Sequence, residues 1–346
     1  MVCPMGVKVR RRTAAAELAY RTRSGSMYVG PSENVLRSVA LKRLRRSVQL
    51  IFTSPPFALN RKKKYGNRQG EAYVEWLASY SGLFRDYLTE DGSIVIELGN
   101  GWEPGSPTMS TLAMEALLEF KRRGRLHLCQ EFICFNPARL PTPAQWVTVE
   151  RCRVKDAFTR VWWLSPSRTP KADNRQVLTT YSESMRALLR RGTYNAGKRP
   201  SEHSIGGTSF LRNNGGAIPP NVLIPSLSDI SAGLLDELSA TTNILPITNT
   251  NAHDHYQEFC RSRRLPFHPA RMPARLAEFF IEFLTGPKDV VLDPFAGSNT
   301  TGAVAQALNR KWIAIECDET YALASAARFF DKIPDKISQK ITSAGF

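Results

Sequence analysis

Val290-Val291-Leu292-Asp293-Pro294-Phe295-Ala296-Gly297-Ser298-Asn299-Thr300-Thr301-Gly302 is the stretch on which the fold turns. An apolar run ends in an acid, a tight turn of small residues follows, and a helix is predicted from Thr300. Small residues in such a turn let a ligand approach backbone N–H groups, and the helix start adds positive dipole. Trp312–Ile315 reads as the next strand, with Glu316 at its end, where nucleotide-type sites commonly place an acid on ribose hydroxyls. A last helix is expected from Glu319, so the segment forms a strand–helix–strand unit ending near Lys332. The same string also suits a plain strand–helix turn, so a second signal is needed.

That signal lies far upstream. Val48, Leu50 and Phe52 alternate as in a strand, which runs into Thr53-Ser54-Pro55-Pro56-Phe57. Two consecutive prolines stiffen the chain and leave carbonyl oxygens that sheet pairing cannot use. An exocyclic base amine is donor-rich, and its lone pair is delocalised into the ring. Acceptors must hold its hydrogens before it can attack a methyl group. The Ser54 hydroxyl and Pro55 carbonyl are suitable acceptors, and Phe57 can stack on a base, which must then be flipped out of the helix. By itself the tetrapeptide Ser54–Phe57 is equally a proline-terminated strand turn.

Between and around the two motifs, helix and strand patterns alternate. Tyr73, Trp76, Leu77, Tyr80, Leu83, Phe84, Tyr87 and Leu88 recur at helical spacing, and Asp91-Gly92 is expected to turn the chain into a strand at Ser93–Leu98. Gln130–Phe135 and Ala157–Leu164 read as further strands, with Trp162 and Trp163 in the core. Leu276, Phe279, Phe280, Phe283 and Leu284 line one helix face. The implied fold is α/β, with a mostly parallel sheet covered on both sides. From Ser165 to Pro266 the chain is rich in Asn, Ser, Gly, Pro and Arg, a span too long for simple linkage. There His253 and His255 read as solvated loop residues.

With 346 residues, 47 Lys and Arg against 31 Asp and Glu give a formal charge of +16, and the sequence pI is about 9.8. Such a surplus favours polyanions, because each cation on a phosphate releases a counterion. No run of about 18 apolar residues exists to span a membrane. Six scattered cysteines form no CxxC and no zinc-ligand spacing, so no metal is expected and a reducing, cytoplasmic setting is the simplest. No cysteine follows a proline, which excludes the thiolate attack that cytosine C5 methylation requires.

Taken together, TSPPF at 53–57 and DPFAGSNTTG at 293–302 resemble the amino-methyltransferases of restriction–modification systems. The order, catalytic motif before cofactor motif, resembles their permuted β-type arrangement. Agreement with a cytosine-N4 member of the group continues through Arg21–Arg23, Gly25–Met27, Ala58-Leu59, Phe135–Pro137, Arg153–Ala157, Asn214–Gly216, Ile218–Asn221 and His268–Arg271. The resemblance implies a class I S-adenosylmethionine-dependent methyltransferase, a Rossmann-like doubly wound sheet of circularly permuted motif order with an inserted target-recognition lobe. Ser54, Pro55, Pro56 and Phe57 would form the catalytic pocket for cytosine. Asp293, Pro294, Phe295, Ala296, Gly297, Ser298, Asn299 and Thr300 would surround the cofactor, with Glu316 on its ribose and His268-Pro269 closing the site. The implied division is a basic N-terminal arm with a short helix over 1–23, a catalytic half at 24–165, target recognition at 166–267, a cofactor half at 268–332 and a tail at 333–346.

Partners follow from the same resemblance: double-stranded DNA, no membrane, no metal, and a cognate restriction endonuclease acting separately. The protein would be a monomer or weak dimer associated with the nucleoid. Arg61, Lys62, Lys63, Lys64 and Arg68, immediately after the catalytic motif, are candidates for flanking phosphates. Lys198, Arg199, His203, Arg212, Asn213 and Asn214 are candidates for phosphates or base edges. Serine at 54, where adenine-specific relatives usually carry Asp, favours cytosine N4. Adenine N6 transfer and a DNA-binding relative without activity are the alternatives. One departure stands out: relatives use a Gly-Asp pair for the cofactor's adenine amine, whereas here Gly30-Pro31-Ser32-Glu33 occurs, so either Glu33 or another group compensates or cofactor affinity is weakened.

Overall fold

The computed structural model describes residues 16–57, 68–136, 139–224, 245–246, 255–269 and 272–343. Its centre is a ten-stranded sheet in the order β1-β2-β14-β13-β3-β4-β8-β7-β11-β12. The strands are β1 (Glu17–Arg21), β2 (Gly25–Val29), β3 (Val48–Thr53), β4 (Leu88–Gly99), β7 (His127–Phe135), β8 (Phe158–Ser165), β11 (Val222–Ile224), β12 (Leu245–Pro246), β13 (Val290–Asp293) and β14 (Lys311–Glu316). Two short hairpins, β5–β6 (Gly101–Trp102, Met109–Ser110) and β9–β10 (Gly197–Lys198, Ser204–Ile205), lie outside it. Only β1 and β8 run against the other strands.

Helices cover both faces, which is why β3 is buried at all six positions and reads as a continuous apolar run. On one face α1 (Ser32–Arg37), α2 (Glu71–Tyr87) and α3 (Leu112–Gly124) pack over Val48, Ile51, Ile94, Ile96 and Leu292. The other face holds α5 (His255–Ser262), α6 (Ala274–Leu284), α7 (Thr300–Ala307), α8 (Glu319–Ala324) and α9 (Asp335–Ser343), over Leu50, Phe52, Val95, Val291 and Trp312. The helix α4 (Glu183–Arg191) has no buried residue.

Phe280 on α6 is fully buried, its ring 5.5 Å from Phe52 and 5.0 Å from Phe132. Phe280→Ala is therefore expected to cost about 3–5 kcal/mol, seen as a lowered denaturant midpoint. Because Phe52 precedes the proline turn by two residues, the cavity would also loosen the strand that carries it.

Several expectations are corrected. The supposed N-terminal arm contributes β1, paired to β2, where a short helix was expected; Ala19 and Tyr20 enter the core. The presumed tail from 333 contains α9, whose Ile337 and Ile341 are buried. Nor is 166–267 a lobe apart: β11 and β12 extend the main sheet, and Val177, Leu223, Tyr256, Cys260 and Leu265 belong to its core. His255 is exposed as expected but opens α5 and is not in a loop, and its Nδ1 lies 2.7 Å from the Ala327 carbonyl oxygen. At Asp91-Gly92 the strand pattern continues, with a register shift against β3, instead of beginning after a turn. Trp162 and Trp163 are buried as expected.

Candidate active site

Chain direction reverses its progress across the sheet between β13 and β3. From β13 the chain crosses through α7 to β14 on one side; from β3 it crosses through α2 to β4 on the other. The carboxyl ends of strands flanking such a switch point leave an open crevice, because the two crossover helices diverge to opposite faces. Both motifs sit on its lips. The proline turn follows Thr53 and the glycine turn follows Asp293, on neighbouring parallel strands.

Thr53 and Asp293 join them. Thr53 Oγ1 donates to Asp293 Oδ1 at 2.7 Å, Thr301 Oγ1 donates to Oδ2 at 2.7 Å, and the Phe295 amide donates to Oδ1 at 3.1 Å. Asp293 thus clamps β3, the turn and the start of α7 together. Burial pushes its carboxyl up to about 6, against the pull of the hydrogen bonds from Thr301 and Thr53. A carboxyl raised on folding favours the folded state fully below its unfolded value, and loses that contribution as pH rises through its folded one. Asp293→Asn is expected to remove about 3 kcal/mol of pH-dependent stability between roughly pH 4 and 6, read by denaturant unfolding across that window.

The glycine turn is a cradle. Gly297 has φ +51°, and a Cβ there would stand 2.8 Å from the His268 ring. His268, expected to close the site, does lie over the turn, its ring edge-on to Tyr321 and its amide donating to the Tyr256 hydroxyl at 3.2 Å. Pro269 is exposed beside it. Glu316, at the end of β14, accepts from the Gly297 amide at 2.9 Å and from the Asp318 amide at 2.9 Å. A carboxylate has about four acceptor positions, so it retains capacity for a ligand hydroxyl.

Around the cradle, some residues expected to touch cofactor work inward instead. Asn299 is fully buried and left-handed; it caps α7 by accepting from the Gly302 amide at 3.1 Å and donates to the Tyr20 hydroxyl at 3.1 Å. The Ser298 carbonyl accepts from Arg328 Nε at 2.7 Å, and Thr300 is buried. Phe295 stands between Trp76 and Tyr80, at 5.6 and 5.2 Å. Ser32 donates to the Pro294 carbonyl, and Glu33 accepts from the Tyr80 hydroxyl at 2.6 Å. The acid nearest the missing Gly-Asp position is thus tied into the aromatic wall beside Phe295. Ala296 is buried beneath the turn.

At the proline turn, Pro55 is buried, while Ser54, Pro56 and Phe57 are half-buried. The Phe57 ring rests on Gly99 at the end of β4, where an added Cβ would meet it at 2.7 Å. Beside it lies a group that sequence reasoning missed. Glu97 on β4 is buried, accepts from Thr159 Oγ1 at 2.9 Å, and has the Ser54 side chain beside it. Burial pushes its carboxyl up, although Thr159 and Ser54 pull against it. The signal was present: an acid inside the apolar strand Ser93–Leu98.

Arg68 is described and exposed, whereas Arg61, Lys62, Lys63 and Lys64 lie outside the described residues. Lys198 and Arg199 belong to the β9–β10 hairpin, where Arg199 donates to the Asn195 carbonyl at 2.6 Å; Arg212 is exposed. Among the described hydrogen bonds and ion pairs, none joins these three to the proline turn. Among the described residues there is also no cluster of metal-ligating side chains, and no helix long and apolar enough to cross a membrane.

Residues 48–327 match the DNA methylase family model. The chain is 40% identical over 315 residues to the type II methyltransferase M.PvuII of Proteus hauseri, covering 90% of this chain and 86% of that one. It is similar in structure to the cytosine-N4-specific PvuII DNA methyltransferase, with a TM-score of 0.69 and 35% identity over 94% of each chain. A shorter likeness, 52% over 54 residues, links it to the DNA adenine methyltransferase YhdJ of Escherichia coli strain K12, across 16% of this chain and 18% of that one.

Proposed function

Because this chain belongs to the DNA methylase family, we propose that it carries the methyl group of S-adenosylmethionine to N4 of a cytosine flipped out of duplex DNA. The observation that carries this reading is the Thr53–Asp293 hydrogen bond, which ties the base-handling turn to the glycine cradle across adjacent strands. The order of β3 before β13 in the chain, on neighbouring strands, supports reading the enzyme as one of permuted, β-type motif order.

The residues present suit the cofactor. Gly297 leaves the space a side chain would fill, Phe295 offers an apolar wall, Glu316 offers acceptor positions for ribose hydroxyls, and His268 covers the turn. Bound there, S-adenosylmethionine supplies an electrophilic methyl group on a sulfonium. Ser54 Oγ and the Pro55 carbonyl hold the amine hydrogens and aim the nitrogen lone pair at that group. Ser54 Oγ then receives the amine proton as its own passes to the neighbouring Glu97 carboxylate. Phe57, fixed against Gly99, stacks on the base. The surplus of +16 supplies the attraction to phosphates, for which the exposed Arg68 is a candidate, and exposed residues within 166–267 read the target.

The test is direct. DNA exposed to the protein and S-adenosylmethionine is digested to nucleosides and weighed by mass spectrometry; N4-methylcytosine is the expected product. N6-methyladenine alone would instead support the adenine reading, which the YhdJ likeness favours and Ser54, in the place of an acid, disfavours.

A further inference from the structure

Three of the most exposed large apolar side chains stand on one connection. Between β7 and β8, Leu140 is 76%, Val149 65% and Val154 87% exposed. Residues 139–156 also carry four cations, Arg139, Arg151, Arg153 and Lys155, against two acids, Glu150 and Asp156. Residues 139–156 are internally hydrogen-bonded despite that exposure. The Val147 amide donates to the Pro143 carbonyl at 3.0 Å, the Glu150 amide to Gln145 at 2.8 Å, and the Cys152 amide to the Trp146 carbonyl at 3.0 Å. Arg153 braces it by donating to the Pro107 carbonyl at 2.7 Å, next to the β5–β6 hairpin. A stiff, cationic flap thus holds bare apolar groups in water.

Its root is at the active site. β7 points the same way as β3 and β13, so the flap rises from the edge that carries both motifs. Arg139 at its base donates to the Phe158 carbonyl at 2.9 Å, and its charge reaches Glu97, beside Ser54. β8 stands two strand spacings, about 10 Å, from β3. The cofactor side of the sheet lies in the other direction, so the flap flanks the base crevice from the open side.

Resting on the function proposed above, we propose that residues 139–156 form a wedge that enters the duplex beside the target, its apolar side chains filling the space the extruded base leaves. The flanking cations suit phosphates on either side of the gap, and the burial of Leu140, Val149 and Val154 offsets the lost stacking. A protein partner would be served by the apolar groups but not by the excess of positive charge.

The experiment uses the full chain with Leu140, Val149 and Val154 all replaced by Ser, exposed positions where folding should persist; unchanged S-adenosylmethionine binding checks this. Methyl transfer is compared on two duplexes carrying the site that the wild-type protein modifies. In one the target base is paired; in the other it faces an abasic site and is already loose. The wedge predicts a fall of roughly tenfold or more on the paired duplex and near-wild-type rates on the loose one. Equal losses on both, no loss on the paired duplex, or a change in self-association by sedimentation without a change in transfer would each overturn it. Base extrusion, read as 2-aminopurine fluorescence at the target position, judges the wedge separately from the chemistry. A wild-type protein that extrudes the base without transferring methyl would sink the function and leave the wedge standing, and a variant that extrudes as well as wild type would do the opposite.

Discussion

Gly297→Val is expected to abolish S-adenosylmethionine binding, by at least about 100-fold in affinity, while duplex DNA binding persists. Two effects add. The backbone at 297 has φ +51°, a left-handed conformation that costs an ordinary residue about 1–2 kcal/mol and a β-branched one more. The new Cβ would also stand 2.8 to 3.0 Å from three atoms of the His268 imidazole, before the two methyl groups are counted. His268 cannot yield freely, since its ring is packed edge-on to Tyr321 and its amide is bonded to Tyr256, which in turn lies under Arg328. Relief would come by reopening the turn, breaking the bond from the Gly297 amide to Glu316. Calorimetry with S-adenosylmethionine measures the loss, and salt-dependent duplex binding serves as the control. Wild-type cofactor affinity in this variant would sink the assignment of the turn as the cradle.

The parts of the fold legible beforehand share a physical property: their information is local. β13, the glycine turn, α7 and β14 form one continuous segment in which each period announces itself, and Glu316 follows because it ends a strand next to the turn. Ser54 was legible because two prolines cannot extend a strand. What stayed hidden depends on residues remote in sequence. Glu97 acquires meaning only when β4 lies beside β3 and brings it to Ser54. β1 is a five-residue strand whose partner, Ser24 aside, begins four residues later, too short for alternation to distinguish it from a helix end. β11 and β12 are three and two residues long, so no period could mark them inside a polar span. Asn299, expected at the cofactor, turned inward because a left-handed helix cap needs a side chain that bonds its own backbone. That demand was readable from Asn before Thr-Thr-Gly, but competed with the ligand reading on equal terms.

Ser54→Ala and Glu97→Gln are expected to lower the rate of methyl transfer by about 10² to 10⁴ with cofactor affinity nearly intact. Both act at the proline turn and neither bonds Asp293, so the glycine cradle keeps its bonds to Thr301 and Glu316. In the proposed mechanism Ser54 touches the amine and Glu97 acts through it, and pH separates the two roles. Since burial raises the Glu97 carboxyl from its ordinary value, the group takes up its proton at a higher pH than a solvated glutamate would. As pH falls through that value Glu97 becomes neutral and can no longer accept the proton from Ser54, so the wild-type rate should fall with it. Glu97→Gln keeps the shape and a partner for Thr159 but cannot titrate, and its residual rate should be flat across that limb. Single-turnover rates at saturating cofactor, measured from the weakly acidic to the neutral range, decide the matter. A Glu97→Gln protein that retains the wild-type acidic limb would assign that limb to another group, and a variant with full rate would remove Glu97 from the proton path altogether.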